Sequence, residues 1–475
     1  MSGTQWLAAA GVVVTAVLAT ACTGPARLAP TAAPTAGGAP SGAGTGRAAT
    51  FGAAVRARVP VTAALNAVSC PSARVCVTVG STASKSPVVL HWNGTRWADV
   101  PVPRPATGSL SAIWCGSATW CLAVGATRLN APGSKSAPLA ELWNGRAWTV
   151  LPVPSPARTV QSSLTDVDCT SRAACTAVGY HTTTKGGYDP APSYALAEGW
   201  NGEAWRLEPA VNQTPGATTF SSVSCSSASA CTAVFEGDLA AERWNGTVWT
   251  AQATKPSSGE GPGGFSSVSC PAASDCTAVG DSGGDDNQGL SEVWDGRSWA
   301  WPDLAPAESD GSTFSGVTCL SGTSCLAVGG DGGQRGEVTL AARWNGKSWS
   351  PLDTPNVPRP ALNSMLDAIS CASPTACMAV GNSDRGVGKT AYATHSRALA
   401  EWWNGTKWRM LPTPSGRPDL AARSRRPAST CMPRPETTAA WRPRPFNRAL
   451  VQISETPLLR GRSRFFVLRI RQLGP

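Results

Sequence analysis

The chain has 475 residues, including 49 Gly and 39 Pro, and it carries a formal net charge of +10. This length is too great for one ordinary small domain, unless the chain is an array or a ring of repeats. Frequent Gly and Pro, with almost no Leu-, Glu- and Lys-rich runs, predict short strands joined by turns rather than helices.

The N-terminus reads as an export signal. Residues 1–21 contain an apolar run that ends in small residues before Cys22, and it is too short to span a bilayer comfortably. The run ATAC at 19–22 resembles a bacterial lipobox, which predicts lipidation of Cys22; plain secretion after an A-x-A cleavage site is the alternative. Residues 22–55 are rich in Ala, Pro and Gly, and we expect a disordered tether there.

The chain then repeats seven times over residues 56–416. Each copy has two cysteines with five residues between them, then an AVG-like segment, then WNGxxW or a close variant. The copies are spaced at about 50 residues, and each has four short apolar segments, as a propeller blade requires. One blade cannot cover both of its apolar faces, so the sequence predicts an all-β propeller of about seven four-stranded blades.

The strands of the second copy illustrate the repeat. Strand two is the segment Cys121–Gly125, strand three is Leu139–Trp143, and strand four begins at Trp148. Asn-Gly between strands three and four predicts a two-residue turn that pairs Trp143 with the residue after Gly and places the Trp pair and a Glu on one face. The Glu recurs in five copies, as Glu141, Glu198, Glu242, Glu292 and Glu401.

The Trp and Glu residues are interpreted as structural. Inter-blade packing is needed at every blade, whereas a catalytic site is needed once, and the Trp pair occurs in every copy. We expect each Glu to accept a hydrogen bond from an indole or a flanking amide.

The cysteines indicate the compartment. The chain has 16 Cys and only 3 His, and no His lies within a cysteine motif, so no metal site is predicted. Local disulfides are favoured over redox-active thiols and suit an exported protein. The predicted pairs are Cys70–Cys76, Cys115–Cys121, Cys169–Cys175, Cys225–Cys231, Cys270–Cys276, Cys319–Cys325 and Cys371–Cys377.

The combined motif over about Ala64–Pro414 resembles a repeat of secreted β-propeller proteins of high-GC bacteria, kelch-like in general form. It differs from the kelch pattern because one Gly, rather than a pair, usually follows strand two. The resemblance implies a scaffold for binding, and propellers in general host unrelated functions.

The loops between strands two and three, and the links between blades, vary most from copy to copy. Variable loops on a rigid ring are where binding residues concentrate. They hold every Tyr and two of the His of the chain, so the candidate ligand-binding residues are Tyr180, His181, Tyr188, Tyr194, Tyr392 and His395. The alternative, without a binding role, is that Tyr and His occur in these loops because they avoid the small, crowded strand positions.

The positive charge lies in the tail at 417–475, which has thirteen Arg, no Lys and three acidic residues, and thus accounts for the whole net charge of +10. The repeats are neutral, so no nucleic-acid groove is predicted. The tail segment 420–432 aligns with 366–378 and places Cys431 on Cys377, which indicates a decayed eighth repeat. An Arg-rich arm for anionic envelope polymers is the alternative.

The sequence contains no nucleophile elbow, P-loop or dinucleotide fingerprint, so no catalytic residue and no cofactor is predicted. We expect a monomeric, extracellular, lipid-anchored propeller that binds a glycan, peptide or partner protein of the cell envelope through its variable loops. One rival is a polysaccharide lyase or hydrolase that uses Tyr180, His181, Tyr392 and His395 as acid or base groups. Another is a structural envelope protein with no specific ligand.

Overall fold

The computed structural model describes residues 63–82, 86–102, 108–128, 136–183, 193–210, 219–237, 239–255, 263–283, 288–302, 311–333, 336–357, 361–386 and 394–414. Within these ranges the chain forms 28 strands and no helix. The predicted signal, tether and tail lie outside the described residues.

The strands fall into seven groups of four, which we call blades 1 to 7 in chain order. Blades 1 to 4 contain β1 Ala63–Ser72, β2 Val75–Thr82, β3 Pro87–Trp92, β4 Trp97–Asp99, β5 Gly108–Ser117, β6 Trp120–Arg128, β7 Ser136–Trp143, β8 Trp148–Leu151, β9 Thr159–Ser171, β10 Ala174–Thr183, β11 Ser193–Trp200, β12 Trp205–Glu208, β13 Thr219–Ser227, β14 Ala230–Glu236, β15 Ala241–Trp244 and β16 Trp249–Gln252. Blades 5 to 7 contain β17 Gly264–Ala272, β18 Asp275–Asp281, β19 Gly289–Trp294, β20 Trp299–Ala300, β21 Ser312–Ser321, β22 Ser324–Gly333, β23 Gly336–Trp344, β24 Trp349–Pro351, β25 Ala361–Ser373, β26 Ala376–Gly386, β27 Thr394–Trp403 and β28 Trp408–Met410.

Each blade is one sequence repeat, because its four strands pair antiparallel in chain order. The core lies between blades: each cluster of buried residues in the described chain joins one blade to its neighbour. The ring closes between blades 7 and 1, where Met378 packs with Leu65 and the amide of Cys70 donates to Ser370 Oγ at 3.0 Å. The seven-bladed, all-β prediction is confirmed.

The two ends of the ring differ in character. The loops between second and third strands and the links between blades lie at one end, which we call the loop face. The cysteine turns and the Asn-Gly loops lie at the other end, which we call the turn face. The turn face is described in every blade.

The predicted disulfides are confirmed. All seven pairs form, each with a sequence separation of 6. In blade 2, Cys115 lies directly opposite Cys121 in the ladder between first and second strands. Each disulfide therefore closes the turn that joins these strands, at a buried position facing the preceding blade. Seven disulfides favour an oxidising compartment.

Removal of one disulfide tests its role as a local staple. We expect the double substitution Cys115→Ala and Cys121→Ala to lower the free energy of unfolding by about 2–3 kcal/mol, because the bond shortens the unfolded chain by only one small loop. Chemical denaturation of the full chain measures the loss. Cys431→Ser is the control and should change nothing, since the sequence predicts no partner for Cys431. An equal loss in both variants would show that Cys431 has a structural partner.

The register of the Asn-Gly loop was predicted wrongly. Trp143 pairs with Trp148, so the loop has four residues rather than two. Asn144 Oδ1 accepts the amides of Arg146 and Ala147 at 2.9 and 3.0 Å, and among these loop residues only Gly145 has a positive φ, of 90°. The Asn side chain replaces the backbone partners of a two-residue turn, so Asn does not need a positive φ. The shared face of the Trp pair and Glu141 survives this correction.

The Trp pair of each blade packs against the preceding blade. The rings of Trp143 and Trp148 lie 5.7 Å apart and belong to the core cluster that includes Val79 of blade 1. The indole nitrogen of Trp143 donates to the carbonyl of Ala118 in its own cysteine turn at 3.1 Å, and the first Trp of blades 3, 6 and 7 makes the same type of bond. These contacts support a structural role for the Trp pair.

The repeated Glu is buried, and its hydrogen bonding varies between blades. Glu292 behaves as expected, accepting from the Lys255 amide and the Trp301 indole, both at 3.2 Å. Both carboxyl oxygens of Glu198, however, have no hydrogen-bond partner among the described residues. Lys255 stands six residues after the second Trp of its blade, and the matching residue of blade 2 is Pro154. Proline has no amide hydrogen, so this link offers Glu198 no donor.

The glycine of the AVG segment lies opposite a β-bulge in the first strand. In blade 2 the pairing shifts between Leu110 and Ala112, which leaves Ser111 as a bulge, and the same shift occurs in every described blade. The bulge turns the Ser109 carbonyl onto Gly125, where an added Cβ would overlap the oxygen well inside van der Waals contact distance. Close backbone approach therefore favours glycine here, although blade 4 has Phe235 opposite the same bulge.

Candidate functional site

The sequence-predicted ligand residues are spread over two blades of the ring. Tyr180 and His181 lie in β10 and Tyr194 lies in β11, all in blade 3 near the loop face. His395 lies in β27 of blade 7, where its backbone pairs with Arg385. Tyr188 and Tyr392 lie outside the described residues.

Within blade 3 the structure brings two of these residues together. His181 and Tyr194 are cross-strand partners, and their rings stack with centroids 5.4 Å apart at an angle of 25°. His181 Nδ1 also lies 3.4 Å from the hydroxyl of Thr159, and burial lowers the pKa of His181. Tyr180 pairs with Ala195 and therefore points from the opposite face of the sheet. His181 is buried and Tyr194 is partly buried, so the Tyr194 ring is the part of this stack that a ligand can reach.

The catalytic alternative needs groups from blades 3 and 7 to meet at one substrate. These blades are not neighbours: blade 7 packs against blades 6 and 1, and blade 3 packs against blades 2 and 4. By the shorter way around the ring, two blades therefore lie between the strands that carry His181 and His395.

A polar cavity of about 290 Å³ lies on the axis of the ring, lined by the first strands of all seven blades. The bulge residues supply most of its polar side chains. In chain order, the bulge residues are Asn66, Ser111, Thr165, Ser221, Ser266, Ser315 and Asp367. The sequence analysis did not identify this cavity as a site, although the small polar residue after each Leu or Phe of the first strand was its visible signal.

Polar groups around the cavity join several blades to the next blade. Asn66 Nδ2 donates to the carbonyl of Leu110 at 2.8 Å, and the Thr165 hydroxyl donates to that of Phe220 at 2.6 Å. Directly before the first cysteine, a Ser accepts a bond from the next blade: Ser69 Oγ accepts the amide of Cys115 at 2.9 Å. These bonds use part of the lining for ring assembly.

Blade 3 places two carboxylates where most other blades have Ser or Ala. Asp166 Oδ2 accepts the Val223 amide at 2.8 Å and Asp168 Oδ2 accepts the Cys225 amide at 2.7 Å, both from blade 4. Burial raises the pKa of Asp168 to about 7, against hydrogen bonds from backbone amides that lower it. Burial likewise raises the pKa of Asp367 to about 7, and its Oδ2 accepts Asn382 Nδ2 at 3.1 Å. These acids hold neighbouring strands rather than face one another across a substrate site.

Metal binding has no support within the described ranges, where no group of three or more His, Cys, Asp or Glu side chains could hold an ion. The same part of the chain contains no helix long and apolar enough to cross a membrane.

Comparison with known proteins relates this chain to others through its fold. No protein-family model and no curated protein matches it. Among solved structures, the WD40 β-propeller domain of Doa1 is 12% identical, covering 75% of this chain and 95% of that one with a TM-score of 0.43. YCF48 bound to a D1 peptide is 12% identical, covering 62% and 82% with a TM-score of 0.40.

A fungal lectin from Aleuria aurantia, a six-bladed propeller that recognises fucose, is 13% identical, covering 76% of this chain and 98% of that one with a TM-score of 0.39. At these identities the likeness concerns the fold alone.

Proposed function

We propose that this protein is an exported, lipid-anchored propeller that binds a glycan, peptide or partner protein of the cell envelope at its loop face, without catalysis. Seven disulfides favour export, and Cys22 is the proposed anchor. The ligand is proposed to contact blade 3 around His181 and Tyr194, together with the predicted residues Tyr180, Tyr188, Tyr392 and His395.

One observation carries this proposal. Side chains that recur along the repeats are occupied with assembly: the Trp pair packs between blades, and the bulge residues Asn66, Thr165 and Ser221 donate to the next blade. The stack of His181 on Tyr194 lies outside this recurring pattern and at the loop face. An aromatic pair that the scaffold does not require suits recognition of a sugar ring or an apolar side chain.

Binding of the full chain to a glycan array and a peptide library tests the loop face. Replacement of residues 184–192 by a Gly-Ser linker, combined with Tyr194→Ala, should weaken binding of any captured ligand at least about tenfold, since loss of aromatic contacts removes more than 1 kcal/mol. The matched control replaces 129–135, the corresponding loop of blade 2, and should leave binding unchanged. Equal binding by all three proteins would place the ligand elsewhere. Capture of nothing by the unaltered chain would favour a purely structural envelope protein.

A further inference from the structure

In two blades the residue before the first Trp contacts the ring of the first Trp of the next blade. In blade 1 the ring of His91 meets the edge of Trp143 at 5.0 Å, and in blade 4 the guanidinium of Arg243 lies 5.1 Å from the centre of the Trp294 ring. This position points away from its own Trp pair, because side chains alternate along a strand. In chain order it is occupied by His91, Leu142, Gly199, Arg243, Val293, Arg343 and Trp402.

Blade 3 alone among these has no side chain at this position, since Gly199 stands there. A cavity of about 340 Å³ consequently lies between blades 3 and 4, and the Trp244 ring, the Cys225–Cys231 disulfide and Thr176 line it. Trp244 is partly exposed, whereas the first Trp of blades 1, 2, 3, 6 and 7 is buried. The other partly exposed first Trp is Trp294, which the Arg243 guanidinium covers.

The contact between blades 4 and 5 shows what fits such a space. Arg243 lies over Trp294 and donates from Nη2 to the carbonyl of Ala273 at 2.8 Å. Ala273 is the third residue after the first cysteine of its blade, and Ala228 is the matching residue of blade 4. Ala228 lines the cavity beside Trp244. The gap therefore repeats the surroundings of a bound guanidinium without the arginine.

The gap adds a carboxylate to this arrangement. Glu208 lines the cavity, and its Oε2 accepts the indole N–H of Trp249 at 3.1 Å. Its Oε1 lies directly where a side chain at position 199 would begin. Burial raises the pKa of Glu208, which a cation beside it would reverse. A half-buried acid next to an uncovered indole face is complementary to a planar cation.

We propose that the gap between blades 3 and 4 binds an arginine side chain presented by a partner polypeptide. Its guanidinium lies over Trp244 and donates to the Ala228 carbonyl and to the Glu208 carboxylate. This site is separate from the loop-face site proposed above, because it lies beside the cysteine turn and the Asn-Gly loop of the turn face. A planar guanidinium serves both the ring and the two acceptors, which a lysine ammonium cannot do.

Arg206 distinguishes this ligand from an anionic or neutral one. It also lines the cavity, and it pairs with Gly199 across the strands, so it points to the same side. A carboxylate-bearing or neutral sugar would use Arg206 as a donor, whereas an incoming guanidinium is repelled by it. The two ligand classes therefore predict opposite effects of removing Arg206.

Calorimetric titration of the full chain with a blocked pentapeptide containing one central arginine tests the proposal. The arginine peptide should bind about tenfold more tightly than its citrulline analogue, which keeps the shape and loses the charge. Glu208→Gln should weaken arginine binding about tenfold, and Arg206→Ala should leave it equal or tighter. Gly199→Arg should abolish binding, because the new arginine would lie over Trp244 as Arg243 lies over Trp294.

Three results would overturn the proposal. They are equal affinity for arginine and citrulline, weaker binding in Arg206→Ala, and undiminished binding in a folded Gly199→Arg protein. If Gly199→Arg does not fold, the opposed effects of Glu208→Gln and Arg206→Ala decide. Loss of the loop of residues 184–192 leaves arginine binding intact if the two sites are distinct, so failure here and failure at the loop face are distinguishable.

Discussion

Raising the pH from 6.5 to 8.5 is expected to lower the free energy of unfolding, and Glu198→Gln is expected to remove a large part of that loss. Burial raises the pKa of Glu198 to about 8 from its ordinary value of 4.5, with Glu208 nearby adding to the effect. Burial raises the pKa of Glu401 to about 8 and the pKa of Glu141 to about 7. These glutamates are therefore wholly or partly protonated in the folded ring near neutral pH.

The sign follows from proton uptake. Between pH 4.5 and each folded pKa, the folded chain holds a proton that the unfolded chain has released, so stability is highest at low pH and falls as pH rises through that window. Each such group contributes roughly 1.4 kcal/mol per pH unit inside its window. Partly buried His91 has the opposite effect. Burial lowers the pKa of His91 to about 4, so protonation of this side chain lowers the free energy of unfolding as pH falls below about 6.5. The interval above 6.5 thus isolates the carboxyl groups.

Urea denaturation at several pH values measures this dependence. Glu198→Gln should be more stable than the unaltered chain at pH 8.5, since a neutral amide replaces a buried charge that no described residue compensates. Glu203→Gln is the control, because Glu203 is exposed in the adjacent Asn-Gly loop. A free energy of unfolding that is flat or rising from pH 6.5 to 8.5 would show that solvent or an ion reaches these carboxylates.

Gly125→Ala is expected to lower the free energy of unfolding by about 3 kcal/mol or more. The added Cβ would overlap the Ser109 carbonyl oxygen and lie 2.9 Å from Leu110 Cα, and neither backbone atom can move without disturbing the bulge at Ser111. Blade 4 accommodates Phe235 opposite the same bulge, so the loss measures how far the first strand of blade 2 can shift.

Thermal and chemical unfolding of the two glycine variants make the comparison. Gly322→Ala is the matched control: its nearest neighbours are side-chain atoms of Asp275, at 3.0 Å and beyond, which can shift. We expect a loss well below that of Gly125→Ala. If both substitutions are tolerated equally, close backbone approach does not explain the glycine of AVG.

The sequence alone determined the blade count, the strand order and the disulfides. Cysteines six residues apart, the AVG segment and WNGxxW lie within one hairpin or two, so local chain geometry governs them and every copy repeats them. The paired Trp143 and Trp148 were correctly placed on one face with Glu141, even though the loop between them is two residues longer than predicted. A side chain that imitates the backbone, as Asn144 does, leaves no mark in the spacing.

The tertiary structure decided what happens between blades. Pro154, which offers Glu198 no donor, and the blade 3 residues packed near Trp244 belong to adjacent repeats, about 50 residues away in the chain, and no local pattern records which faces meet. The sequence shows Gly199, Pro154 and Asp168 as ordinary variation at their positions. The packing of one blade on the next gives each its effect. Gly199 leaves a gap, Pro154 withholds a donor, and Asp168 accepts a neighbouring amide.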